Sequence, residues 1–328
     1  MTGLDVYNND NLQVVENYIK AHPQVKGFYG YLKTDKSLTT VYHYVKNVQR
    51  MLDYVQKEPA DLTFDDYTEY LSYISVKTDG TAVTSSYMIQ QYHSLKNYSL
   101  YLFETGVASK YYMQAVKRPK PIENQKTIER RNRNFLTKEE IGIYLDAVRN
   151  GVGTDKAKAC QRKMRARDYA IIMILLTTGI RESALIKLDL SSIKHREQSL
   201  IVTDKGSKVE IYKLNKTTYQ AIWEWIVYKE AMFPNADKEA LFISQYGTRL
   251  KRTGLTEITT KYAVNINGKH ITPHKLRATY GTQLYEATKD IYFVQRAMGH
   301  SSPTTTERYV RGQNDVTKEA SDIMGNLF

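Results

Sequence analysis

The sequence predicts a mainly α protein of two domains: an all-α helical bundle, then a mixed α/β domain with one small antiparallel sheet. Three observations predict it. Apolar residues in the first third recur at helical spacing with no strand-like run among them. A basic segment over residues 117–134, with two prolines, has no apolar periodicity. Beyond it, helical segments flank two β-rich runs joined by Asp204-Lys205-Gly206-Ser207. A chain of 328 residues is long enough for two cores.

The bundle, residues 1–116, reads as four helices. Residues 12–21 form a short one that stops before Pro23. In residues 38–56, Leu38, Val41, Tyr42, Val45, Val48, Leu52 and Val55 make a single apolar stripe. Residues 65–74 follow Thr63, an N-cap candidate, and residues 84–104 stop at Gly106. Residues 117–134 hold seven basic and two acidic side chains and read as a linker, whose charge is either plain solvated surface or a track for phosphates.

The second domain, residues 135–328, opens with a capping box, Thr137 and Glu140, ahead of a helix over 141–148. Residues 156–167 carry six cationic side chains and no acid, a second basic stripe. Asp168 is expected to cap a buried helix over 169–178 that Gly179 ends. Strands are expected at 199–203 and 209–214, with the apolar run 241–243 as an edge strand.

Composition narrows the function. The 47 Lys+Arg against 35 Asp+Glu, a formal +12, point to a polyanion, nucleic acid or an anionic membrane surface. The longest apolar run, residues 170–176, is too short to span a bilayer, and the polar start carries no secretory signal. A cytoplasmic, soluble protein is expected. The single cysteine, Cys160, leaves no disulfide framework and reads as a passenger. No Gly-rich phosphate loop, HExxH or EF-hand loop occurs, so neither a cofactor nor a metal is expected.

Four elements stand out, and each alone is better explained by packing, pairing or capping. Arg181 follows the Gly179 helix end, where an arginine beside the core needs a partner, a carboxylate or a phosphate. In Thr272-Pro273-His274, an N-cap and a proline start a helix that puts His274 and Arg277 on one face, beside the positive end of its dipole. Gly299-His300 ends a helix over 291–298, and Tyr309 lies nine residues further on, about two turns into the next helix. Lys205 occupies the hairpin turn.

The order Arg, hairpin Lys, His-x-x-Arg, Gly-His, Tyr resembles the tyrosine recombinase (phage integrase) family. The motifs span residues 135–312, and the two-domain architecture extends the likeness to the whole chain. The resemblance implies a DNA breaking-rejoining fold. It implies that Tyr309 attacks a DNA phosphodiester, leaving a 3′-phosphotyrosyl link and a free 5′-hydroxyl. By similarity Arg181 and Arg277 clamp the scissile phosphate, and His274 accepts the tyrosine proton. Lys205 protonates the leaving 5′ oxygen, and His300 donates to a phosphate oxygen. A phenol has a pKa of roughly 10 and needs such surroundings to attack at neutral pH. Rejoining from a covalent link needs neither ATP nor metal.

One position departs from the family's pattern. Where R-x-S-E is usual, Arg181 is followed by Glu182, Ser183 and Ala184, so either Glu182 reaches round to support the arginine or that support is missing. The implied partner is double-stranded DNA, a recombination site with inverted arms, held by a C-shaped clamp. The implied assembly is a homotetramer whose tail, residues 313–328, docks in trans; packing of the tail on its own domain is the alternative. No membrane partner is expected. Integration of a mobile element is favoured over dimer resolution. The competing readings are a type IB topoisomerase and a non-catalytic DNA-binding protein on the same fold.

Overall fold

The computed structural model describes residues 3–120, 135–203, 209–266 and 269–299. Most of the basic linker, the hairpin turn with Lys205, and everything from His300 onward, including Tyr309 and the 313–328 tail, lie outside the described residues. The chain divides into two compact units, Met1–Glu123 and Asn124–Phe328.

The first unit has five α-helices among its described residues: α1 (Gly3–Ala21), α2 (Lys26–Lys33), α3 (Leu38–Val55), α4 (Phe64–Tyr73) and α5 (Ser85–Glu104). Helix α2 is not among the four expected. Its eight residues include two glycines, which lower helix propensity and thin the apolar pattern, yet Phe28 and Leu32 lie a turn apart and are fully buried. Helix α1 begins earlier than residue 12. The stripe on α3 behaves as its spacing requires: Val41, Val45, Val48 and Leu52 face the core with Leu95, Tyr98 and Leu102 of α5. A buried polar relay joins these two helices. Gln91 Nε2 donates to Asn47 Oδ1 at 3.0 Å, and Asn47 Nδ2 donates to Ser94 Oγ at 2.9 Å. Thr63 and Asp66 close a capping box on α4, with Lys57 Nζ 2.7 Å from the same carboxylate.

The second unit opens with α6 (Lys138–Asn150), where the Thr137/Glu140 box forms as expected. Next come α7 (Asp155–Arg162), α8 (Arg165–Thr178) and the single turn α9 (Glu182–Leu185). A three-stranded antiparallel sheet follows: β1 (Ile193–Lys194), β2 (Ser199–Thr203) and β3 (Val209–Lys213). Leu200 opposes Tyr212, and Val202 opposes Glu210. Four further helices complete the described part: α10 (Lys216–Met232), α11 (Arg252–Lys261), α12 (Pro273–Thr288) and α13 (Ile291–Ala297). Helix α8 is central, buried along Ala170 to Leu175 and packed by α6, α10 and α12.

Two expectations need correction here. Asp168 does not cap a helix at 169, because α8 starts at Arg165 and places Asp168 inside it, fully buried. Its carboxylate accepts from Arg167 Nε and Nη2 at 2.9 and 2.6 Å, Lys261 Nζ at 2.8 Å and the Tyr262 hydroxyl at 2.8 Å. Arg167 is therefore a core residue and no part of a basic surface stripe. Residues 241–243 do not form the edge strand; β1 takes that place. Their backbone bonds go elsewhere: Leu241 N donates to Leu188 O at 2.9 Å, while Trp225 Nε1 and Arg167 Nη1 each donate at 2.8 Å, to Leu241 O and Ile243 O. The run is buried, and it pairs through an isolated antiparallel bridge of Ile243 with Arg249 and not as a strand of the sheet.

Among the described residues, no helix is long and apolar enough to cross a membrane.

Candidate active site

The site is assembled at helix ends. Helix α8 stops at Gly179, which takes the left-handed conformation at φ 59° and turns the chain sharply. Only a glycine fits there: a Cβ would lie 2.9 Å from Cγ and Cε1 of Tyr280 on α12. Two residues later Arg181 sits as the N-cap of α9 in extended conformation, φ −71° and ψ 147°.

Helix α12 starts as its sequence dictates. Thr272 Oγ1 accepts from Lys275 N at 3.4 Å and Pro273 takes the first helical position. His274 is exposed at this N-terminus, and Arg277, one turn on, is buried. Helix α13 is capped by Asp290, which accepts from the backbone of Tyr292 and Phe293 at 2.8 and 2.9 Å. It runs out through Met298 to Gly299, at φ 61°.

The two arginines meet at this last turn. Arg181 Nη2 donates to Gly299 O at 3.3 Å, and Arg277 Nη2 donates to Met298 O at 2.6 Å. Arg277 Nη1 also donates to Gly179 O, close to the start of Arg181 itself. Three chain segments far apart in sequence are thus tied together by two guanidiniums immediately before His300. Of the expected set, Arg181 and Arg277 are brought together here, and His274 lies one turn before Arg277 on α12. Lys205, His300 and Tyr309 fall outside the described residues.

Strand β3 adds two groups that sequence reasoning missed. The Tyr212 hydroxyl donates to Glu210 Oε2 at 2.7 Å. Burial, then the bond to Glu210, push the Tyr212 phenol above its ordinary pKa, while Arg277 and Arg181 pull it down, so both guanidiniums bear on this hydroxyl. Glu210 lies against the Gly299 turn: a Cβ on Gly299 would come within 2.8 Å of its Oε1. A cleft of about 450 Å³ is lined here by Thr177, Thr178, Glu210, Tyr212, Tyr280 and Arg296. The sequence held one signal for this. On β3 the apolar Val209 and Ile211 are exposed, while Glu210 and Tyr212 turn inward, an alternation inverted from that of a core strand.

Glu182 does not support Arg181. Its carboxylate is 3.2 Å from Arg252 Nε on α11; burial raises its pKa and Arg252 draws it back. Ala184 is buried and carries no polar group. Among the described residues, no group of three or more His, Cys, Asp or Glu side chains is placed to hold a metal.

Two guanidiniums tied to one turn, with a helix N-terminus bearing a histidine, have the chemistry that suits a phosphate diester. On this fold they define a DNA breaking-rejoining enzyme. Residues 135–315 match the sequence profile of the phage integrase family, and the chain belongs to that family. It is a tyrosine site-specific recombinase. Tyrosine recombinase XerS of Streptococcus uberis is 26% identical over 328 residues, 89% of this chain and 92% of the relative. Tyrosine recombinase XerC of Alcanivorax borkumensis is 29% identical over 66% of each chain. In structure, XerH bound to a palindromic difH substrate, a post-cleavage complex, shares the fold with a TM-score of 0.69 and 19% identity, covering 90% of this chain and 85% of that one. The Tn1549 transposon integrase, in complex with transposon right end DNA, does so with a TM-score of 0.62 and 18% identity, over 96% and 99%.

Proposed function

We propose that this recombinase cuts and rejoins duplex DNA through a 3′-phosphotyrosyl link to Tyr309. Arg181 and Arg277 clamp the scissile phosphate, His274 receives the phenolic proton, Lys205 protonates the departing 5′ oxygen, and His300 donates to a phosphate oxygen. The observation that carries the reading is the meeting of Arg181 and Arg277 on the carbonyls of Met298 and Gly299, directly ahead of His300. That arrangement ties the phosphate receptor to the start of the segment bearing the nucleophile. The exposed position of His274 beside buried Arg277 supports its role as proton acceptor.

The DNA partner is a site with inverted arms. The surplus of 47 Lys+Arg over 35 Asp+Glu favours binding dominated by phosphate contacts, falling steeply with salt. The active assembly is a homotetramer, with residues 313–328 exchanged between protomers. The biological role we favour is integration and excision of a mobile element. Tyrosine recombinase XerS and a transposon integrase are both similar to this chain, so that preference rests on the departure at Ala184.

A nicked suicide substrate resolved on denaturing gels tests the chemistry. Wild type is expected to form a covalent protein–DNA adduct, and Tyr309→Phe none. Free DNA with wild type on its own site sinks the reading. Sequencing the adducts trapped in cells tests the biological role. Junctions at element ends support integration, and a single chromosomal locus contradicts it.

A further inference from the structure

We propose that Glu210 positions the arginine clamp, supplying from strand β3 the carboxylate that the Arg181 turn lacks. The proposal rests on the reading of Arg181 and Arg277 as phosphate ligands. The need for an anion is electrostatic. Arg277 is buried, Arg181 is partly buried, and both converge on one turn. Two guanidiniums drawn to one turn repel each other, and an opposite charge beside that turn offsets the repulsion.

The α9 turn provides none at this corner, since Ala184 is apolar and Glu182 faces Arg252. Glu210 is placed to serve. Its register opposite buried Val202 fixes its face of the sheet. The Tyr212 hydroxyl orients the carboxylate from one side at 2.7 Å. On the other side the carboxylate packs on Gly299, at a distance that leaves no room for a Cβ, and the carbonyl of that same residue is held by Arg181. One carboxylate thus braces the turn that both arginines grip. Glu210 acts through the arginines and is a positioning residue.

The test compares Glu210→Gln, Glu210→Asp and Glu182→Gln with wild type, reading thermal midpoint, DNA affinity and single-turnover cleavage of the suicide substrate at saturating protein. Glu210→Gln is expected to keep midpoint and affinity and to cleave about 10- to 100-fold more slowly. Glu210→Asp recovers part of the rate, as does Ala184→Glu in the Glu210→Gln background if that buried change folds. Wild-type cleavage by Glu210→Gln, or the same loss from Glu182→Gln in its place, overturns the proposal. A joint fall of midpoint, affinity and rate with no recovery by Glu210→Asp marks a merely structural carboxylate and also overturns it. If wild type forms no adduct, the clamp reading itself fails; if wild type cleaves and Glu210→Gln matches it, only the positioning role fails.

Discussion

Replacing Gly179 by alanine separates the backbone requirement of the site from its packing requirement. At φ 59° an L-residue bears a left-handed penalty of about 1–2 kcal/mol. The added methyl would also stand 2.9 Å from Cγ and Cε1 of Tyr280, and overpacking of that kind costs about 1–3 kcal/mol. The sum, about 2–5 kcal/mol, corresponds to a thermal midpoint lowered by roughly 5–15 °C for a domain of this size. The functional effect travels through α12. Tyr280 and Arg277 are three residues apart on that helix, and Arg277 donates to the Gly179 carbonyl, so displacing the ring displaces the clamp.

Gly179→Ala is therefore expected to bind DNA but cleave the suicide substrate about 100-fold more slowly, the scale of an ångström misplacement. Tyr280→Leu removes the ring that the methyl meets. In the double variant the packing share should return, seen as a coupling of about 1–3 kcal/mol in a double-mutant cycle of thermal melts. A Gly179→Ala protein that melts and cleaves like wild type would falsify the close approach of α8 and α12. Zero coupling with Tyr280→Leu would leave only the backbone share and refute the packing half.

Arg277→Lys keeps the charge but loses the planar fork that reaches Gly179 and Met298 together; gel shifts should stay within about threefold while cleavage falls about 100-fold or more. Equal cleavage by the lysine variant would remove the clamp geometry from the mechanism. Asp168→Ala strips the partner from buried Arg167 and half-buried Lys261 and should cost about 3–5 kcal/mol in chemical denaturation, a small change contradicting its buried role. Burial raises the Asp66 carboxyl, but Lys57 and Thr63 outweigh it and hold the group below its ordinary value. A depressed folded-state pKa gives stability that is present above the unfolded value of about 4 and lost as pH falls through the folded one. The stability gap between wild type and Asp66→Asn should thus close on acidification below about pH 4, and a gap constant from about pH 7 to about pH 3 argues against this ion pair.

What could be read in advance depended on how local the determinant was. The α3 stripe, the Thr137/Glu140 box and the Thr272-Pro273 start of α12 each lie within a few residues, and each formed where the pattern placed it. Arg181 and Arg277 were legible only as members of an ordered set of motifs; that both end on Met298 and Gly299 is a matter of packing that spacing does not encode. Asp168 shows the opposite failure. An aspartate before an apolar run reads as a cap, but Lys261 and Tyr262, far along the chain, make it a core anion. The run 241–243 reads as a strand by composition, yet side chains of Arg167 and Trp225 take carbonyls that a ladder would need. Glu210 was overlooked because a carboxylate on a hairpin is ordinarily solvated surface, and its value depends on the Gly299 turn reaching it.

The use of backbone carbonyls as arginine ligands has a consequence for the order of events at the site. A guanidinium carries five N–H donors in a fixed plane, so one side chain can hold backbone and phosphate together. Arg277 holds the end of α8 and the end of α13, and Arg181 holds the next carbonyl of the same turn. In the proposed mechanism the clamp would be oriented before any phosphate arrives, with little reorganisation left for the transition state. The same bonds make the two arginines sensitive to where residues 298 and 299 lie, at the start of the segment that leads to His300 and Tyr309. On that reading a phosphate drawing on Arg181 or Arg277 would also draw on that turn. In the proposed mechanism, clamp and nucleophile segment would therefore be coupled through three carbonyl groups that no side-chain motif records.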